Sequence, residues 1–94
     1  MDITPANLEY DPNKSQKNVE ERGIPFDLAC IVLNNMALEF EDTRKEYSEK
    51  RMTAYGFVGE RAFCCVYTKR GNSYRIISLR KANKKEIKKW NLIK

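Results

Sequence analysis

The sequence predicts an α+β fold: a small antiparallel sheet packed with two N-terminal helices and a C-terminal helix, in one domain spanning residues 1–94. Three observations carry that expectation. Helical periodicity is confined to the first third of the chain and its last stretch, with short extended segments between. Two connections among those segments, Gly59-Glu60 and Gly71-Asn72, are compact and glycine-bearing, as antiparallel hairpins require. The run Ala62-Phe-Cys-Cys-Val-Tyr67 is apolar at consecutive positions, the pattern of a central strand covered on both faces.

Taken in order, residues 8–11 suit a short strand. Asp11 can then cap a helix and Pro12 take its first position, so a helix is expected over 12–22, closed by Gly23 in a left-handed conformation. Val19 is its only large aliphatic, which places it on the surface. Phe26, Ala29, Cys30, Leu33 and Ala37 recur at steps of three and four, the stripe of a second helix that packs one face on a core, with Asn34-Asn35 at its end. Strands are expected at 37–40, 51–58, 62–69 and 73–80. The segment 41–50, polar except for Tyr47, is expected to be a mobile loop. In the last helix, over 83–93, Ile87, Trp90 and Ile93 make one narrow apolar contact. Asn83 and Glu86 have the spacing of a capping box, which makes Glu86 a helix cap before it is a catalytic acid.

Charge sharpens the picture. Residues 1–68 carry 8 basic and 12 acidic side chains, whereas residues 69–94 carry 10 basic ones and a single acid, Glu86. A cationic cluster of this kind attracts polyanions by displacing their counterions, although a basic run can also be a solvated tail. The chain has no histidine, and Cys30, Cys64 and Cys65 lack zinc-ligand spacing, so neither a metal nor a cofactor is expected. Cys64 and Cys65 are neighbours in a strand and point to opposite faces, which argues against a disulfide framework. No apolar run approaches the roughly eighteen residues of a membrane span, and the N-terminus lacks signal-peptide character. A cytoplasmic protein with no membrane partner is expected.

On a strand over 74–80, period two puts Arg75, Ile77 and Leu79 on one face and Tyr74, Ile76, Ser78 and Arg80 on the other. Ile77 and Leu79 would enter the core, with the Arg75 guanidinium escaping at the edge and Lys81 just beyond Arg80. Planar, permanently charged guanidiniums suit bidentate phosphate binding. The catalytic candidates are Arg51, Arg70, Arg75, Arg80 and Lys81, and the RNA-binding candidates are Lys69, Ser78, Tyr55, Lys84 and Lys85. The alternative for any one arginine is a surface pair with Glu39, Glu41, Glu49 or Glu60. Tyr55, Tyr67 and Tyr74 are placed either to stack on bases or to be half-buried sheet residues. Without histidine, proton transfer falls to Lys69, Lys81, a tyrosine or a carboxylate, so alignment and charge stabilisation must supply most of any rate. Hydrolase triads and glycine-rich phosphate loops are absent.

Tyr10-Asp11-Pro12 before a helix, Asn18 within it, Gly23-Ile-Pro-Phe26, Arg51 and Gly56, then Val66-Tyr-Thr-Lys-Arg-Gly71 and Arg75-Ile-Ile-Ser-Leu-Arg-Lys-Ala82 with Glu86 resemble the BrnT toxins over about residues 9–90. The resemblance implies a RelE-like fold and toxicity through RNA cleavage that arrests translation, in a type II toxin-antitoxin system. It also implies neutralisation by a BrnA-like antitoxin with a ribbon-helix-helix region, through which promoter DNA is contacted only indirectly. By position it points to Arg51, Arg70, Arg75, Ser78, Arg80 and Lys81. Where the family often has Lys-His-Gly this chain has Glu21-Arg22-Gly23, and Lys69 stands where the family frequently has glutamate. The expected function is therefore a metal-independent ribonuclease toxin. The alternative is a non-catalytic RNA-binding or inactivated toxin that acts as corepressor with its antitoxin. A third reading, direct DNA binding, lacks an evident helix-turn-helix.

Overall fold

Asp11 and Gly23 bracket the first helix, α1 (Pro12–Arg22). The Asp11 carboxylate accepts the backbone N–H of Asn13 at 2.9 Å, and Gly23 closes the helix at φ 71°, where a side chain would be strained. After a 3₁₀ turn at Phe26–Leu28, α2 (Ala29–Asn34) buries Ala29, Cys30, Val32 and Leu33. The expected stripe thus holds through Leu33 but not at Ala37, which is exposed and lies beyond the helix in β2 (Met36–Glu41).

The computed structural model describes residues 2–44 and 46–94. Its strands β1 (Leu8–Glu9), β2, β3 (Met52–Val58), β4 (Arg61–Arg70) and β5 (Ser73–Lys81) form one sheet in the order β1-β5-β4-β3-β2. The α+β expectation holds, in an arrangement compatible with a RelE-like toxin. β2 to β5 pair antiparallel through successive neighbours, and β1 adds to β5 in parallel. Gly59 and Gly71 turn two of the hairpins at φ 61° and 59°. β4 is central and is covered on both faces, as its consecutive apolar residues predict. Cys65 belongs to the main core under α2 with Leu33, Ala54, Ile76 and Leu79, whereas Cys64 packs on the opposite side with Tyr55, Ala62 and Ala82. Both thiols and Cys30 are free and buried.

The largest departure from the sequence reading lies in β5. Residues directly opposed on neighbouring strands point to the same side of the sheet. Arg75 opposes Thr68, Ser78 opposes Val66 and Arg80 opposes Cys64, and these β4 residues are two apart, so Arg75, Ser78 and Arg80 all face one way. The register shifts between Val66 and Tyr67, leaving Ile77 without a ladder partner. This bulge resets the alternation in the middle of the strand. The expected core pair is corrected accordingly: Ile76 and Leu79 are buried under α2, while Ile77 is half-buried. Arg75 faces away from that core rather than escaping from it.

Beyond Glu9 the β5 edge has no strand partner, and α1 covers it instead. The buried Asn18 amide donates to the Leu79 carbonyl at 3.0 Å and to the Ile24 carbonyl at 2.8 Å. The helix is therefore held by polar satisfaction of an edge strand rather than by Val19, which stays exposed. The last helix, α3 (Lys84–Trp90), starts on the expected capping box, with the Asn83 side chain accepting from the Glu86 N–H at 2.8 Å and Glu86 accepting from the Asn83 N–H at 2.9 Å. It ends earlier than expected. Asn91 turns left-handed at φ 54°, which sends Leu92 into the small second core and leaves Ile93 75% exposed.

Candidate nucleic-acid interface

The face of the sheet opposite α2 carries Arg70, Arg75 and Arg80. Here Thr68, Arg70 and Arg75 line a depression of about 170 Å³ together with Lys14 of α1 and Arg51 at the start of β3. Among the described residues Glu49 is the one carboxylate that lines it, with Glu9 Oε1 lying 4.0 Å from Arg70 Nη1. Arg70 grips Glu49 in a fork, Nε to Oε2 at 3.0 Å and Nη2 to Oε1 at 2.6 Å. That hydrogen-bonded pairing holds the Glu49 carboxyl below its usual pKa, with the charges of Arg75 and Arg51 adding to the effect. Among the described residues the Arg75 guanidinium forms no ion pair, so its donors face the depression uncommitted.

The polar segment between β2 and β3 closes one side, and Lys45 within it lies outside the described residues. Its anchor is Asp42, whose side chain is only 3% exposed. The Asp42 carboxylate accepts the Arg44 Nε and Nη2 at 2.9 Å each, the Arg44 backbone N–H at 3.2 Å and the Tyr47 hydroxyl at 3.2 Å. The Arg44 hydrogen bonds hold its pKa far below the usual carboxylate range against the cost of burial. Tyr47 in turn lies under Arg51, whose guanidinium carbon is 4.1 Å from the ring centre. The segment expected to be mobile is thus fastened at Asp42, at Arg51 and, through Glu49, at Arg70.

Further along the same face, Arg80 sits in a second and wider depression of about 380 Å³, between β2 and α3. Its guanidinium forks onto Glu86, Nη1 to Oε1 at 2.7 Å and Nη2 to Oε2 at 2.8 Å. The Tyr55 hydroxyl also donates to Glu86. Glu86 is pushed down to about 2, first by Arg80, with desolvation opposing. Tyr55 is pushed well above its usual pKa by burial and by that bond. The helix cap read from the sequence is therefore also the partner of Arg80, joining α3 to β5 and β3.

Of the residues singled out from sequence, Arg51, Arg70 and Arg75 come together in the first depression. Ser78 lies between them and Arg80 on the same face, and Tyr55 is 4% exposed beneath Arg80 and Glu86. Lys69 and Lys81 belong elsewhere. They oppose Tyr74 and Phe63, residues of the α2-side core, so they project from the other face. Lys84 and Lys85 are exposed on the first turn of α3 and line neither depression. Tyr67 and Tyr74 point into the core, where the Tyr67 hydroxyl bonds Glu39, so neither offers a ring to solvent on the cationic face. Sequence reasoning missed Lys14, Asp42 and the aromatic wall formed by Phe40 and Trp90, and it offered Glu49 only as one of four possible arginine partners. The i to i+2 and i to i+5 spacings of Asp42, Arg44 and Tyr47 were the only local signal for any of them.

Chemically, the first depression offers four cations to an anion, of which only Arg70 is paired with Glu49. Every resolved shift among the acids and phenols of this face runs away from neutrality: Glu49 and Glu86 downward, Tyr55 upward. Such an arrangement can hold and polarise an anion by charge alone, without exchanging protons with it at pH 7.

In comparisons with known families, residues 10–86 match the family described as ribonuclease toxin, BrnT, of type II toxin-antitoxin system. No curated protein matches the chain.

Proposed function

Because this chain belongs to the BrnT family of ribonuclease toxins of type II toxin-antitoxin systems, we propose that it cleaves single-stranded RNA without a metal, with the scissile phosphate held by Arg51, Arg70, Arg75 and Lys14. The observation that carries this reading is the convergence of those four cations on one depression whose lining carboxylate, Glu49, is already gripped by Arg70. In the proposed reaction the 2′-hydroxyl oxygen attacks the adjacent phosphorus and the 5′-oxygen leaves. The products are a 2′,3′-cyclic phosphate and a 5′-hydroxyl end. The proton lost by the 2′-oxygen and the one gained by the 5′-oxygen are exchanged with water. Guanidiniums placed around the phosphate stabilise the extra negative charge of the transition state, a role that needs no protonation change. A BrnA-like antitoxin with a ribbon-helix-helix region would neutralise the toxin and carry the pair to promoter DNA.

Inducing the lone gene in a bacterial host is expected to stop growth and translation, and the purified chain is expected to leave 2′,3′-cyclic phosphate ends on single-stranded RNA in the presence of a chelator. Normal growth at confirmed expression, with intact RNA in vitro, would sink the enzymatic reading. The shifts of Glu49, Glu86 and Tyr55 away from neutrality favour one second reading, a toxin that binds RNA and its antitoxin but no longer cuts. It predicts salt-dependent RNA binding with no cleavage at any pH.

A further inference from the structure

We propose that the groove framed by Phe40 and Trp90 is a subsite for one unpaired nucleobase, an inference that rests on RNA phosphates occupying the cationic depression beside it. The two rings stand 5.5 Å apart between centres, at an interplanar angle of 40°. Phe40 is 37% exposed and Trp90 half-buried, on an edge strand and a helix that bury none of their residues. They form one wall of the depression of about 380 Å³ whose floor is Thr53, Tyr55, Cys64 and Val66. That size suits a small flat ligand.

Continuity with the phosphate site decides the occupant. Thr68 and Cys64 mark the ladder positions of Arg75 and Arg80 on β4, so the two sites lie about 13 Å apart along one strand of one face. A single strand crossing the cationic depression therefore passes over the groove. The rim does not repel it. Of the three carboxylates that line the groove, Asp42 and Glu86 are each forked by their own arginine and Glu41 lies 3.9 Å from the Lys50 ammonium, while the Lys89 ammonium lies 4.8 Å from the Trp90 ring centre. An aromatic wall beside a positively charged track is how unpaired bases are held without strict sequence readout. An antitoxin segment is the competing occupant, and the test separates the two.

Trp90 is the sole tryptophan, so its fluorescence reports on this groove alone. A dye-labelled, non-cleavable 2′-O-methyl oligoribonucleotide is titrated against the purified chain, with inorganic polyphosphate as the base-free probe. The oligonucleotide is expected to perturb Trp90 emission in step with binding measured by anisotropy, whereas polyphosphate competes for the cations and leaves emission unchanged. Phe40→Ala should weaken oligonucleotide binding about tenfold without weakening polyphosphate, and Trp90→Phe should retain affinity that Trp90→Ala loses. Oligonucleotide binding that is silent at Trp90 and insensitive to Phe40→Ala overturns the subsite and leaves the phosphate site standing. Absence of any oligonucleotide binding overturns both. Emission changes produced by the purified antitoxin but not by RNA assign the groove to the protein partner and overturn the proposal.

Discussion

Arg75 and Arg80 lie five residues apart on β5 yet present their side chains to the same face of the sheet, because Ile77 is bulged out of the ladder between them. Their circumstances differ. Arg80 is forked onto Glu86, while Arg75 has no ion-pair partner among the described residues. The two arginines are therefore expected to fail differently when removed.

Arg75→Ala should leave stability within about 0.5 kcal/mol of the original, as a surface change that strands no partner. RNA affinity should fall, and the slope of log affinity against log salt should shrink by about 0.7, the loss of one phosphate contact on a single strand. Thermal melting and salt-titrated anisotropy check both. A variant with unchanged salt slope would remove Arg75 from the phosphate site.

Arg80→Ala should instead destabilise the fold by about 1–3 kcal/mol, because it takes the charge partner from the Glu86 carboxylate, whose side chain is 16% exposed and keeps only the neutral Tyr55 and Asn83 donors. The same tie sets an acid limb. Glu86 is depressed from 4.5 to about 2 in the folded chain, so its stabilisation is present above about pH 4.5 and lost as pH falls through 2. Asp42 shifts in the same direction and adds to that acid limb. Denaturation of Glu86→Gln as a function of pH should show a flatter loss of stability between pH 4.5 and 2. A limb identical to that of the original chain would mean that Glu86 titrates alike in the folded and unfolded states.

Much of this was readable from sequence, and the failures share a cause. α1 is bounded by Asp11, Pro12 and Gly23, whose capping chemistry is local, and its limits were read correctly. The capping box of α3 and the two-sided burial of β4 are local patterns as well. The bulge at Ile77 is not. It is a register between β4 and β5, and nothing in Ile76-Ile77 distinguishes a paired isoleucine from an unpaired one, so alternation was carried straight through. The grip of Arg70 on Glu49, 21 residues away, was only one of several carboxylate pairings that composition allows. Lys14 carried no mark at all, since its place depends on Asn18 docking α1 against β5.

Glu49 takes up the Arg70 fork in the cationic depression, in an exposed pair of the kind that contributes little to stability. It is therefore expected to compete with RNA. Glu49→Gln should tighten oligoribonucleotide binding several-fold at low salt with little change in melting temperature. Weaker binding would show instead that Glu49 serves to hold Arg70 in its working orientation.

Asn18→Ala removes the amide that donates to the Leu79 and Ile24 carbonyls inside the seam between α1 and β5, leaving Leu79 only the longer 3.5 Å bond from Arg22 Nη1. A cost of about 1–3 kcal/mol is expected from the lost bonds and the stranded Ile24 carbonyl. Hydrogen exchange should locate it, with α1 amides losing protection before those of β4. Uniform loss across the sheet would mean that α1 is integral to the core rather than a cover on its edge.

Gly56 tests the packing that puts the whole site where it is. α2 crosses β3 so closely that a Cβ on Gly56 would stand 1.9 Å from the Val32 carbonyl oxygen and 2.9 Å from its carbon. Those are backbone atoms of a buried helix and cannot swing aside, so Gly56→Ala must push α2 off the sheet. The expected cost is about 3 kcal/mol or more, a large share of a small domain's stability. Gly59→Ala is the control. At φ 61° its added methyl meets nothing within 4 Å, leaving only the left-handed strain of about 1–2 kcal/mol. Denaturant melts should rank Gly56→Ala well below Gly59→Ala, and the reverse order would place α2 farther from β3 than it is here.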